Sequence, residues 1–343
     1  MGMKEELKLF FSVGAFLLSV AALAVSIRVA SSKISPAGSQ IVHLENEPVT
    51  DPEKAEEMRQ KKMMEEFNKQ EEESLKKKKE YAEAALMRLK KEFKGNIPDT
   101  IVLATEMEAP TPYGIEKKEM VKPLPIFVDV KNKRIEFLGL FHQSERKGGI
   151  VEVFLSSTIG KLEHRGYEAV SVTRINPYDL WLALLLIGME PARGVFKEGE
   201  AIELKGDTVD ILCHWLEPDG TERSACAEDF IYSTVSHRTL ERDGWVFIGS
   251  RVLLDKEEEK EFLATDVFGD LILVVHHPLA ILDIPSKEGG RKDDVFIYNG
   301  KLLPAAVPAI ATPSPFAFLF AEDEALPLIS MLTKMVITPH KRR

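Results

Sequence analysis

Residues 9–27, LFFSVGAFLLSVAALAVSI, run for nineteen positions without a charge, between Lys8 and Arg28. No other stretch restricts the folded chain so strongly, because an uncharged apolar run of about 18 or more residues is long enough to span a bilayer as a helix. Ser12, Gly14, Ser19 and Ser26 dilute the run but are tolerated inside a membrane helix. A cleaved signal peptide is the rival reading: Lys4 and Lys8 supply a positive start, and Ala22-Leu23-Ala24 has a small-x-small cleavage pattern. A buried helix is the third, since the run is too apolar all round for a surface helix. As a membrane helix it spans residues 1–30 with its flanks, contacts the lipid bilayer through residues 9–27, and offers Gly14, Ser19 and Ala22 as a small-residue packing face.

Charge is distributed unevenly along the 343 residues. Residues 1–50 sum to zero, residues 51–94 to +1, and residues 95–343 carry −11. An acidic main domain argues against nucleic acid as a partner, because phosphate binding needs clustered Lys and Arg. The two cysteines exclude a disulfide-dense scaffold and any all-cysteine metal cage. No cofactor is expected.

Residues 31–50 read as a linker in which Ser, Pro and Gly recur. Asp51-Pro52 then opens a long helix: Asp51 suits the cap and Pro52 the first helical position. The pattern runs to residue 94 and stops at Gly95-Asn96, giving a charged helix over 51–95. Pairs such as Glu57–Lys61, Glu65–Lys69 and Glu72–Lys76 support it at i,i+4 spacing. An apolar seam exists only near its end, with Leu75, Ala82 and Leu89 seven apart and Leu86 and Phe93 between them. Two readings stay open: a solvated stalk whose last turns dock on the domain, or a partial coiled coil through residues 75–93 that pairs with a second copy or a larger assembly.

From residue 96 to 343 the texture changes to short apolar runs and turns. Residues 123–130 and 134–140 flank Lys131-Asn132-Lys133 as a hairpin. Residues 149–155, 168–172, 208–216, 221–230, 245–254, 261–265, 270–276 and 294–299 read as further strands. Asn176-Pro177 starts a helix that is apolar nearly all round and too short to cross a membrane. Residues 316–321 read as a last strand and 322–336 as a closing helix. The expected fold class is α+β: an N-terminal transmembrane helix, a long charged helix, then a mainly antiparallel β domain with one buried helix.

Several blocks carry a family resemblance. They are FVDVKNKRIEFLG (127–139), GIVEVF (149–154), the block 167–187 with Gly188 after it, Val209-Asp210-Ile211 with Trp215, WVFIGS (245–250), and GDLILVVHHPLAILDIP (269–285). Residues 126–321 resemble the YdjY-like domain of secreted and membrane-bound bacterial proteins. The resemblance implies a family some of whose members are linked to iron–sulfur redox systems. Two departures weaken an activity: the family has His-Glu-Ser where this chain reads Tyr167-Glu168-Ala169, and often Cys where it reads Leu155-Ser156.

The chemistry-bearing residues give little further. His276-His277 lie side by side on a strand, so they point to opposite faces and do not share a metal. His142 and His164 fall in loop-like surroundings, and His214 is split from Cys213 across faces. Asp266, Asp270, Asp283, Asp293 and Asp294 are the carboxylates worth weighing, with turn-shaping the simplest role for Asp293-Asp294. The cysteines allow two registers. A two-residue Asp219-Gly220 loop sets Cys213 opposite Cys226 within disulfide reach. A type I turn with a Gly bulge shifts the register by one and separates the thiols.

These readings point to a non-catalytic, membrane-anchored accessory or assembly subunit of the bacterial inner membrane. It is expected to be single-pass, with a periplasmic acidic domain that contacts other membrane or periplasmic proteins. An accessory of a membrane redox system and an enzyme with an unrecognised site are the alternatives.

Overall fold

The computed structural model describes residues 52–108, 120–142, 150–159, 168–194, 202–217, 219–255, 259–290, 296–299 and 330–341. Two compact units divide at Arg59/Gln60, so the boundary falls inside the long helix α1 (Pro52–Glu92) and the later part of α1 belongs to the second unit.

Eleven strands of the second unit form one sheet. In chain order they are β1 (Thr100–Leu103), β2 (Ile126–Asp129), β3 (Arg134–His142), β4 (Val153–Ser157), β5 (Ala169–Thr173), β6 (Thr208–Leu216), β7 (Glu222–Cys226), β8 (Trp245–Phe247), β9 (Asp270–Leu273), β10 (Leu282–Asp283) and β11 (Ser330–Pro339). The order β3-β11-β6-β8-β10-β9-β4-β5 returns to β3 through Leu140↔Val172 and Phe141↔Ser171, which closes an eight-stranded barrel. Closure removes the bare edges that an open sheet leaves. Pairs β4–β5 and β9–β10 are parallel and the other six antiparallel.

Two strands change partner along their length. The first part of β3 pairs with β2 (Phe127↔Glu136, Val128↔Ile135) before its end turns to β5. Gly139 stands at that handover; a Cβ there would lie 3.1 Å from the Val172 carbonyl oxygen, so the close approach of β5 demands the missing side chain. Likewise β6 meets β8 at Thr208 and Val209 and β7 from Leu212 to Leu216.

Alternation sorts the side chains. On β6, Val209, Ile211, Cys213 and Trp215 are buried, while Thr208, Asp210, Leu212 and His214 are only partly covered. Met335 stands beside Cys213 and Phe137 beside Met335, so one buried layer crosses three strands. Phe141, Trp215, Phe154, Trp245 and Phe230 continue this interior as an aromatic cluster, with Phe141–Phe230 ring centres 4.7 Å apart.

Helix α2 (Pro177–Leu186) begins where Asn176 caps it: the Tyr178 N–H donates to Asn176 Oδ1 at 2.9 Å, and Asn176 Nδ2 donates to the Thr105 carbonyl. Nine of its ten residues are buried, which at about 2 kcal/mol per large apolar side chain makes it a main support of the core. Helix α1 packs through Glu71, Lys78, Ala82, Ala85 and Leu89, all buried. Tyr81 lies 5.3 Å from Trp181, ring centre to ring centre. That stripe repeats at heptad spacing, yet it is covered by the same unit. The expected coiled coil is therefore corrected: the 75–93 seam docks within its own chain.

The α+β expectation is also corrected, to a mainly β fold built on a closed barrel. Its chief error is at 330–336, read as helix and found in β11. Thr333, Met335 and Ile337 face the interior, and Lys334 turns to solvent. Among the described residues no helix is long and apolar enough to cross a membrane. The single-pass expectation thus finds no span to rest on there; residues 9–27, with Gly14, Ser19 and Ala22, lie outside the described residues, as do 316–321.

Candidate functional site: a polar cleft on the barrel wall

The outward residues of β6 and the chain just beyond β11 floor a cleft of ≈ 1680 Å³. Thr208, Asp210 and Leu212 come from β6, Cys226 from the end of β7, and His340 follows β11, held by its N–H donating to the Thr208 carbonyl at 2.8 Å. Strand period places these residues together on one face.

A single 3₁₀ turn, Ala227–Phe230, sets the acidic part of the cleft. Phe230 plugs the barrel interior against Phe141 and Trp215. With that ring fixed, Glu228 is held at 3% exposure and Asp229 turns back to accept the Cys226 N–H at 3.0 Å. A second cavity of ≈ 360 Å³ is lined by Glu203, Glu228, Asp243 and Pro285, four residues that also line the larger one.

Two pairs order the polar groups at the cleft. Arg242 donates from Nε and Nη2 to Asp229 Oδ1 at 3.1 and 2.8 Å, and from Nη2 to Oδ2 at 2.7 Å. This fork raises the already high guanidinium pKa. His340 Nδ1 lies 2.6 Å from Asp210 Oδ1. Glu228 differs. Burial pushes its carboxyl up to about 7, Asp210 and Asp229 push the same way, and its own N–H and Arg242 oppose them. Burial also raises the Cys226 thiol, against Arg242, so at neutral pH it is a thiol and a weak nucleophile.

Of the described residues singled out from the sequence for their chemistry, Cys226 alone lines the cleft. Of the two registers that the cysteines allow, the bulged one is found and the possible disulfide is absent. Cys213 stands opposite Ala225 and Cys226 opposite Leu212, and both thiols are free. Gly220 at φ 84° and its N–H donating to the Glu217 carbonyl at 2.8 Å are the bulged turn that shifts the register. Cys213 thus points into the barrel and Cys226 into the cleft.

His276 is fully buried. Its Nδ1 lies 3.0 Å from Asp283 Oδ1 and its Nε2 donates to the Ile202 carbonyl at 2.9 Å. Burial alone would lower its pKa, but Asp283 overcomes that and holds it above the ordinary range. With both nitrogens engaged, this dyad is a structural tie between β10 and the chain entering β6. Asp266 is half-buried and feels the charge of Asp179. Burial and then the Asp179 charge raise it to about 7, against the Leu263 N–H that it accepts at 3.2 Å. Asp270 is buried at the start of β9. His164, Asp293 and Asp294 lie outside the described residues, as does the side chain of His142. Among the described residues no group of three His, Cys, Asp or Glu is placed to hold a metal ion.

Glu228, Asp229, Arg242 and His340 were not legible as a site. Each sits in an ordinary polar stretch, and only the Phe230 plug and the barrel closure bring them together. No protein family, curated protein or solved structure matches this chain.

Proposed function

We propose that the barrel unit is a non-catalytic accessory or assembly module that receives an extended segment of a partner protein in its outer-face cleft. The observation that supports this is the cleft's size and chemistry. At ≈ 1680 Å³ it exceeds the roughly 300–1,000 Å³ of small-molecule sites. Its lining mixes Leu212 and Pro339 with charges of both signs, of which Arg242 is already paired with Asp229 and Asp210 faces His340. Cys226 is held as a thiol and has no base assigned to it among the described residues.

A photo-crosslinking amino acid at position 205, inside the cleft, is compared with one at Lys91 on the exposed side of α1, each in the full chain. A discrete protein adduct from 205 and none from 91 supports the reading. Equal adducts from both positions, or none from 205, sink it. An acid–base enzyme is the second reading, favoured by a cleft carboxyl poised near 7. It requires turnover that Glu228→Gln abolishes.

A further inference from the structure

The two cavities meet at Glu203, Glu228, Asp243 and Pro285, so three of the four residues at the junction are carboxylates. Glu203 and Asp243 are exposed, but Glu228 is 3% exposed and lines both spaces. Two of the nearby cations are engaged: Arg242 forks onto Asp229, and Arg238 Nη2 sits 2.8 Å from Glu241 Oε1. Lys205 lines the larger cavity and Lys287 the smaller. Among the described residues Glu228 forms no ion pair. A carboxylate so covered and without an ion pair is costly as an anion unless a cation reaches it.

We infer that this junction is a subsite for an organic cation, the ammonium or guanidinium of a Lys or Arg side chain on the bound segment, with Glu228 as its anchor and Glu203 and Asp243 beside it. The inference rests on the reading of the cleft as a peptide site and names what that peptide must carry. The spacing favours an organic cation over a metal, because no three carboxylates converge tightly enough to ligate one. A guanidinium spreads its donors over a wider, planar fork and suits separated acceptors. The ≈ 360 Å³ cavity has room for one extended side chain, while the larger cleft beside it runs along Leu212 and Pro339 and suits the backbone that presents that side chain.

Binding there is coupled to a proton. The charged groups lining the two cavities with Glu228 are Asp210 on β6, Glu203 and Lys205 on the chain entering β6, Arg238, Glu241, Arg242 and Asp243 on the chain before β8, Lys287 and Glu288 after β10, and Lys133 and Lys341. Asp229 lies on its own turn, and Cys226 and His340 also line the cleft. A cation stabilises the carboxylate, so the occupied site releases the Glu228 proton near neutrality and affinity rises with pH.

The test uses the full chain and two matched libraries of short labelled peptides, one with arginine and one with neutral citrulline at a central position. Agmatine, a free guanidinium, serves as a small probe. The arginine library is expected to bind about tenfold or more tightly than the citrulline library, equivalent to about 1.4 kcal/mol. That ratio is expected to be larger at pH 8 than at pH 6, to collapse in Glu228→Gln, and to fall severalfold in the exposed variant Asp243→Asn, with folding checked by thermal melts. Equal binding of the two libraries leaves the peptide cleft standing and overturns the cation subsite. Agmatine binding that needs Glu228, with no peptide bound, upholds the subsite and overturns the peptide reading. Binding of neither overturns both.

Discussion

The Lys78 ammonium donates a 2.7 Å hydrogen bond to the Ile248 carbonyl, joining α1 to the segment after β8 across 170 positions of sequence. A second, longer bond reaches the Ala192 carbonyl at 3.5 Å. Lys78 is 4% exposed, and burial lowers its pKa to about 8, against the pull of Glu71. Lys78, one of four consecutive lysines, is therefore a buried tether.

Its folded pKa lies below the unfolded value of 10.5, so the folded state resists protonation of this group. Below pH 8 that cost is present in full. It disappears as pH rises through 8 toward 10.5, and wild-type stability gains up to about 3 kcal/mol from this group. Lys78→Met lacks the gain. Chemical denaturation of both chains at pH 7 and pH 10 measures it as the change in their stability difference.

Glu228 has the opposite linkage with the same sense of cost. Its folded pKa of about 7 lies above the model-peptide 4.5, so stability is lost as pH climbs from 4.5 through 7. Glu228→Gln is expected to exceed wild type by about 1–3 kcal/mol at pH 8 and to match it near pH 4. Denaturant midpoints at the two pH values check this; a variant weaker than wild type at pH 8 contradicts it.

Asp179 is buried and Asp266 half-buried, and each has a covered Oδ1 atom without a hydrogen-bond partner among the described residues. The Asp179 charge is among the causes that raise Asp266 to about 7. Asp179→Asn keeps an acceptor for the Thr105 N–H and removes that charge. Carboxyl ¹³C titration is expected to find Asp266 shifted downward in the variant, remaining above its model value of 3.8 because burial, the larger cause, persists.

The cysteines separate by access. Cys213 is 0% exposed inside the barrel, and Cys226 lines the cleft. A thiol reagent is expected to label Cys226 alone in the folded protein and both residues after denaturation. A non-reducing mass with two free thiols follows from the same geometry. Cys213→Ala leaves a small interior cavity at a cost of about 1–2 kcal/mol, whereas Cys226→Ser falls within about 0.5 kcal/mol of wild type.

His276→Ala strands Asp283 as a buried carboxylate and leaves the Ile202 carbonyl without its donor. Removing one member of such a buried pair costs about 3–5 kcal/mol. A fall in the melting temperature larger than that of any other substitution above is the expected outcome.

Strand by strand, much of this was readable. The alternation in TVDILCHWL gave β6 its bounds, Lys131-Asn132-Lys133 gave the hairpin turn, and Asn176-Pro177 gave the start of α2. These signals are local, set by pleat, turn and cap. The sequence SMLTKMVITP fits either a helix or a strand period over its first residues, and only pairing with β3 and β6 selects the strand. Barrel closure was illegible for the same reason, since no local pattern states that β3 ends against β5. Glu71 and Lys78 broke the apolar seam of α1, so its docked length was underestimated. Glu228 was passed over because its burial comes from Phe230 two residues on, and the cleft gathers residues from 132 to 341.

The order in which the strands leave the ribosome gives β11 a further role. It is the last barrel strand made, and it fits between β3 and β6, whose facing edges stay bare until it emerges. Every other barrel strand must wait, partly assembled, for one late segment to arrive, a topology whose distant pairings slow folding. Until residues 330–339 arrive, the chain therefore carries two bare strand edges that the finished barrel covers.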